Sequence, residues 1–501
     1  MSDGSGSGKE SPPAAGGNRE LSMRGGLPPL LRTDYDAIHN PKKHLGIRGK
    51  VSYGTSIMPC FRLYTLGCKV NRYETECIRT GLIKYGYSEA EDEQAADIVV
   101  VNTCAVTAES DAKSRKIVRK LIKENAGAEV IVTGCSVTHQ PDAFLNIGGV
   151  TKIIPDKKHL PDFIRQLAQA QGINADTITE NITGIERFGE RHRAFVKVQD
   201  GCILGCSYCI IPKVRPILYS RPMDEVLGEI RTLSNNGYRE MVLTGIHLGH
   251  YGREKGKAAA DCLAALVKQV AVLDAPLRLR LSSLEAVEVS DELIDVMRAY
   301  PDRICPHLHL SMQSGSDAVL RRMKRRWAGS RFVERCVEIA GHFDRLALST
   351  DVIVGFPGET DTDFEATCEA VRQLRFSKVH IFRYSPREGT EAAAFTDIVP
   401  APVQKERAAQ LGGIAERLRQ EYAASLVGMH ETVLMETPLS GTSSRYINVR
   451  LSQRQRTGGL VAVTITGAHR EFCRAETVNL QQCPDRSTGT PERGQSSEFS
   501  R

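Results

Sequence analysis

The chain has 501 residues, 41% hydrophobic and 25% charged, with a formal net charge of +6. That is enough for two to four domains with a sizeable core, and the mild basic excess suits an RNA partner without requiring one. Neither an apolar run of roughly 18 residues nor the apolar segment of a secretory signal is found, so a membrane association is not expected. The 14 cysteines then point to metal or redox chemistry in a reducing, cytoplasmic compartment.

Residues 1–59 are rich in Gly, Ser and Pro at the start and show no sustained period, which predicts a disordered tail. Asp3, Glu10 and Glu20 argue against a transit peptide, and Met58 reads as a second candidate start for the functional chain. Residues 60–165 alternate strand and helix: strands at 61–65, 98–101 and 130–132, helices at 73–85 and 109–124. That order predicts an open parallel α/β domain. Residues 166–190 are polar and weakly patterned, a connector. Over 191–425 the alternation resumes, with strands at 195–198, 241–243, 277–281, 307–310, 347–354 and 378–383 and a long helix at 403–427. Six β/α units predict a partial or full barrel with its active site at the C-terminal strand ends. Short β runs at 432–436, 446–450 and 460–465 predict a small β-barrel of OB-like size over 426–482, before a second disordered tail at 483–501.

Cys202, Cys206 and Cys209 lie within eight residues, directly after a predicted strand. Such a loop wraps one corner of a cubane cluster and gives three irons a thiolate each. The next cysteine, Cys262, falls in a helical pattern, so one iron is left open to a ligand. A zinc knuckle lacking one ligand, or three unrelated thiols, is the alternative. Cys68, Cys104 and Cys135 each lie two or three residues past the carboxyl end of a predicted parallel strand, and in an open α/β sheet those ends line one crevice. The repeated offset predicts a second cluster; the alternative is that they pack as small hydrophobes. The other eight cysteines read as structural, Cys60 being the nearest decoy.

With these cysteines stand Leu66-Gly67-Cys68-Lys69-Val70-Asn71, Asn102-Thr103-Cys104, Thr133-Gly134-Cys135, Cys209-Ile210-Ile211-Pro212, Leu281-Ser282-Ser283-Leu284-Glu285, Gln313-Ser314-Gly315 and Gly355-Phe356-Pro357-Gly358-Glu359-Thr360. In order and spacing the set resembles the methylthiotransferase family of radical S-adenosylmethionine (SAM) enzymes, over about residues 60–480. Val70, Glu74 and Thr75 resemble the branch acting on N6-threonylcarbamoyladenosine in tRNA; the isopentenyladenosine and ribosomal-protein aspartate branches are the alternatives. One departure is Pro216, which follows Arg215 where the family usually has glycine. Proline fixes φ and removes an N–H, so the loop path there is expected to differ.

The resemblance implies an N-terminal cluster domain, a radical SAM partial (β/α) barrel and a C-terminal TRAM-like RNA-binding domain. It implies two 4Fe-4S clusters: one on Cys202, Cys206 and Cys209 that binds SAM, and one on Cys68, Cys104 and Cys135 that carries sulfur. Expected SAM contacts are Tyr208, Thr244, Gly245, Ser283, Glu285, Ile353 and Gly355; each also reads as a plain turn or core position. Expected partners are a tRNA anticodon loop and an electron donor, for a monomeric protein. The basic run 321–326 and Arg445, Arg450, Arg454 and Arg456 are candidate phosphate contacts, or solvated faces.

Overall fold

Ile-Val-Val-Val-Asn-Thr, the third strand of the N-terminal sheet, is buried along its whole length, as a parallel strand covered on both faces requires. The computed structural model of the protein describes residues 59–91, 94–156, 160–170, 184–189, 191–255 and 259–478. The two tails with Met58 and Cys483, and the middle of the connector, therefore lie outside the described residues.

The N-terminal sheet is parallel, in the order β2-β1-β3-β4-β5, with β1 at Cys60–Thr65, β2 at Ser88–Glu89, β3 at Ile98–Thr103, β4 at Glu129–Gly134 and β5 at Lys152–Ile154. Both β3 and β4 run longer than their apolar cores suggested, to Thr103 and Gly134. These ends read as loop because Asn102 and Gly134 are of types depleted in strands. Here they are buried and tied down: Asn102 Nδ2 donates to the Asn71 carbonyl at 2.9 Å, and Thr103 Oγ1 to that of Thr133 at 2.7 Å. The first helix likewise begins at Lys69 rather than 73 and runs to Lys84, with Cys68 as its N-cap.

The central domain curls six parallel strands: β6 (Arg193–Asp200), β8 (Glu240–Gly245), β9 (Arg278–Leu281), β11 (His307–Leu310), β12 (Ala347–Val354) and β13 (Lys378–Arg383). An isolated bridge between Leu279 and Ile304 joins its two halves. Short β7 (Tyr219–Ser220) pairs antiparallel with β6, and β10 (Ser283–Leu284) pairs with β11. The far end of the expected connector is packed, with Ile185 and Phe188 in the barrel core and the Phe188 amide donating to Tyr238 Oη at 2.7 Å.

The C-terminal domain is a closed five-stranded barrel, β14 (His430–Met435), β15 (Ser440–Ser443), β16 (Asn448–Leu451), β18 (Cys473–Thr477) and β17 (Leu460–Ala468) in that order round the wall. It docks on the N-terminal ends of the central strands. Arg278 donates to the carbonyls of Thr432 and Thr442, and Arg280 to those of Ser443 and Ser444, while both guanidiniums grip buried Glu240. Tyr446 lies under the Arg280 guanidinium, 4.7 Å from its ring centroid. The opposite, C-terminal ends of the strands remain for chemistry. Among the described residues no helix is long and apolar enough to cross a membrane.

Candidate functional site

Three neighbouring strand ends place the first cysteine set. Cys104 directly follows β3, Cys135 directly follows β4, and Cys68 follows β1 by three residues. Cys104 and Cys135 are buried, and Cys68 is exposed at the crevice mouth. Gly67 lets the first two loops meet: its φ is +95°, and a Cβ built there falls 2.6 Å from the Cys104 side chain. Asn71 ties the loops together, donating to the Leu66 and Thr103 carbonyls at 2.9 and 2.8 Å.

The second set lies on the loop after β6. Cys202 is buried, and Cys206 and Cys209 are half-buried. The Cys202 amide donates to the Arg215 carbonyl at 3.1 Å, and the Cys209 amide to that of Cys206 at 3.1 Å. Gly201 has φ +79°, and a Cβ there would meet the Ile217 carbonyl at 1.9 Å, so the Cys202 loop folds tightly against the segment that carries Pro216. His247 Nδ1 lies 3.8 Å from Cys202 Sγ, and the Arg325 guanidinium 3.9 Å from Cys206 Sγ.

These thiols suit a cluster better than one zinc ion. Zn–S bonds of about 2.3 Å put tetrahedral sulfurs roughly 3.8 Å apart. Among the described residues, however, no three cysteine sulfurs come within 4.8 Å of one another. Burial pushes the Cys209 thiol up to about 12 and raises that of Cys206. Thiolates there need a compensating positive charge, which cluster iron supplies.

Arg215 joins the two sets. Its guanidinium donates to Cys135 Sγ at 3.3 Å, to Glu74 at 2.8 and 2.9 Å, to Asp200 at 2.8 and 2.9 Å, and to Asn71 Oδ1 at 3.1 Å. Lys197 completes the network, 2.9 Å from Glu74 and 2.6 Å from Asp200. Sequence reading treated Arg215 only as the neighbour of Pro216. Its signal was a long, forked cation two residues from a turn, which no local pattern distinguishes from a surface arginine.

The expected SAM contacts are all at strand ends or on the cysteine loop, and they differ in how free they are. Half-buried Tyr208 packs edge-on to Phe356, ring centroids 6.5 Å apart, in a cluster that includes Ile353. Thr244 is buried, and its hydroxyl donates to the Val242 carbonyl at 3.2 Å. Gly245 abuts Gln199, whose amide oxygen accepts from the His247 amide at 2.8 Å. Ser283 is exposed, whereas Glu285 is buried and held by Arg325 and by Trp327 Nε1 at 3.2 Å. Gly355 packs on Gln404, and its amide donates to Glu359 at 2.7 Å.

Most of the candidate phosphate contacts are engaged within the protein. Arg322 pairs with Asp397, Lys324 with Glu391, Arg325 with Glu285 and Arg326 with Glu288, so most of the 321–326 run is a set of internal ties. Arg445 pairs with Glu431 and Arg450 stacks on Phe472, while Arg454 and Arg456 are exposed. The remaining described cysteines behave as packing groups: Cys60 donates to the Ala95 carbonyl, Cys473 to that of Ala423, and Cys336 and Cys368 lie in the barrel core. A half-buried group of His309, Asp351 and His380 was not anticipated. Its signal was one inward position on each of three adjacent strands, visible only once their register is known.

The family model described as "Uncharacterized protein family UPF0004" matches residues 61–154, and that of the radical SAM superfamily matches residues 196–371. The chain is 36% identical over 435 residues to the threonylcarbamoyladenosine tRNA methylthiotransferase MtaB of Thermotoga maritima, an alignment covering 84% of this chain and 98% of that one. It is 38% identical over 377 residues to the Bacillus subtilis protein of the same name, covering 73% and 82%. A further relative, the tRNA-2-methylthio-N(6)-dimethylallyladenosine synthase of Corynebacterium urealyticum, is 30% identical over 448 residues, covering 83% and 82%.

Proposed function

The chain belongs to the methylthiotransferase family of radical SAM enzymes, and from that premise we propose that it adds a methylthio group to C2 of N6-threonylcarbamoyladenosine at position 37, beside the anticodon of tRNA. Cys202, Cys206 and Cys209 hold one 4Fe-4S cluster with an open iron for SAM, and Cys68, Cys104 and Cys135 hold a second. When bound, these groups supply one-electron cleavage of SAM and the sulfur to be inserted, and a second SAM supplies the methyl. An electron donor of the cytoplasm reduces the protein.

The observation that carries this reading is the Arg215 bridge. An adenine C2–H is unactivated, so a radical made at one site must meet sulfur held at the other, and a loosely tethered crevice would let it escape. Arg215 fixes the Cys135 end of the crevice to the loop that carries Cys209, through a buried fork rather than a surface contact. Around that meeting point, Tyr208 and Ile353 offer an apolar wall to the SAM adenine, and Thr244-Gly245 presents backbone to its amino group. Ser283 and Glu285 face the ribose or the substrate. The C-terminal barrel, with Arg454 and Arg456 exposed, serves as the TRAM-like RNA-binding module.

Nucleoside mass spectrometry of tRNA from cells with and without the protein tests this. The methylthio derivative of threonylcarbamoyladenosine is expected only when the protein is present. Loss of a dimethylallyladenosine derivative instead, with threonylcarbamoyladenosine unchanged, would reject the substrate.

A further inference from the structure

Behind the strand ends, the inner wall of the central domain carries a group of metal-ligand type that the chemistry above leaves unused. Along β12, Leu348, Val352 and Val354 pack into the hydrophobic core with the helices, so the alternate residues Ser349, Asp351 and Ile353 face the lumen. His309 on β11 and His380 on β13 flank this strand, with His380 directly in register with Asp351 and His309 in register with Ser349. One nitrogen of each histidine and one carboxylate oxygen of Asp351 all lie within 4.8 Å of one another. The three residues are half-buried, shielded by the barrel wall yet open to the lumen.

Two of the three are already held in place. His309 Nε2 is 3.2 Å from Asp351 Oδ2, and its Nδ1 is 3.1 Å from the Oγ of buried Ser349. A partner on Nδ1 fixes the ring and leaves Nε2 as the ligating nitrogen. The backbone of Asp351 is clamped by Gln313, whose amide donates to the Asp351 carbonyl and whose carbonyl accepts from the Ile353 amide, both at 2.9 Å. His380 differs. Its ring lies 5.7 Å from that of His309, and among the described residues it makes no hydrogen bond or ion pair. A cation shared with Asp351 and His309 gives that imidazole a partner.

The ligand types select the ion. Two imidazoles and one carboxylate suit zinc and related divalent transition metals, whereas magnesium and calcium prefer oxygen alone. Zn–N and Zn–O bonds of about 2.0–2.1 Å put tetrahedral ligands roughly 3.3 Å apart. The Nε2–Oδ2 separation of 3.2 Å matches that spacing, and the others, 4.8 Å at most, close by side-chain rotation. The other such trio among the described residues, His247, His250 and Glu288, has His247 against Cys202 and belongs with the cysteine loop.

We propose that His309, Asp351 and His380 form a mononuclear site for a divalent transition metal of the zinc type, with Ser349 positioning His309 and a fourth coordination position open to the lumen. The site is separate from both cysteine sets and stands whichever adenosine the protein modifies. An ion there would bind and polarise an oxygen donor, a carbonyl or a carboxylate, that enters the lumen.

The test uses the full-length, cluster-loaded protein, equilibrated anaerobically with micromolar zinc chloride and then desalted, with zinc and iron counted on the same sample. Wild type is expected to retain one zinc per chain that a His309→Ala, His380→Ala double variant lacks, at equal iron. Ser349→Ala keeps all three ligands and is expected to weaken zinc binding about 10–100-fold. Zinc-edge X-ray absorption of wild type separates this site from zinc on cysteines: a nitrogen and oxygen shell at about 2.0–2.1 Å with imidazole scattering is expected, against sulfur at about 2.3 Å. That measurement needs no variant, so it decides where the double variant does not fold. A wild type that retains no zinc, a sulfur-ligated zinc, or equal zinc in wild type and in a folded double variant overturns the site and leaves a hydrogen-bonded Asp–His pair only.

Discussion

Pro216 stands where the family resemblance led us to expect glycine, and the surrounding bonds explain why proline is tolerated. Proline withholds the amide hydrogen of residue 216 only, whereas this loop is held through the carbonyl and side chain of Arg215. Removing that side chain leaves buried Glu74 and half-buried Asp200 with Lys197 as their sole cation among the partners above. Breaking a buried network in this way costs about 3–5 kcal/mol. Arg215→Ala is therefore expected to lower the unfolding temperature markedly. Arg215→Lys keeps the charge but loses the fork, so it should retain more stability and still yield less methylthio product per 5′-deoxyadenosine released. An unchanged product-to-deoxyadenosine ratio in both variants would show that the bridge does not couple the sites. At this scale the placement of the six cysteines, at three strand ends and on the loop after β6, was legible in the sequence, because thiol spacing and strand-end offset are local patterns. Arg215 and the His309–Asp351–His380 group were not, since each is assembled from residues on separate elements of the chain.

At the scale of elements, the apolar runs placed nearly every long strand, and β11, β12 and β13 have the expected bounds. The short strands β2, β5, β7, β10, β15 and β18 were missed, since two to five residues carry too little period to read. The inward charges of β8 and β9 were unreadable for another reason: Glu240, Arg278 and Arg280 look like surface residues until the C-terminal barrel closes over them. Burial alone would raise the Glu240 pKa, but Arg280, Arg278 and Arg193 hold its carboxyl well below the usual carboxylate range. A depressed folded value means that the stabilisation is complete above the unfolded pKa of about 4.3 and is lost as pH falls below it. Thermal unfolding of wild type should therefore show no loss from this group between about pH 7 and 5. Glu240→Gln should melt lower across that range, because Arg278 and Arg280 then lack their anion, with the gap narrowing toward pH 4. A gap that widens on acidification would contradict this assignment.

The whole molecule sets a closed β-barrel against the N-terminal strand ends of the central sheet and the crevice of Cys68, Cys104 and Cys135 near the Cys202 loop, leaving the C-terminal strand ends uncovered by the barrel. The domain order was readable from the change in texture along the chain; the docking was not, because it rests on arginine–carbonyl bonds and on Tyr446 at a left-handed φ of +64°. The proposed function divides labour between the two cysteine sets, one for SAM cleavage and the other for sulfur delivery. Cys104→Ala tests that division most directly, with iron, 5′-deoxyadenosine and modified nucleoside measured on one anaerobic preparation under strong reductant. The expected result is about half the iron, retained 5′-deoxyadenosine and no methylthiolated threonylcarbamoyladenosine. Wild-type iron and normal product from a folded Cys104→Ala protein would contradict the two-cluster account.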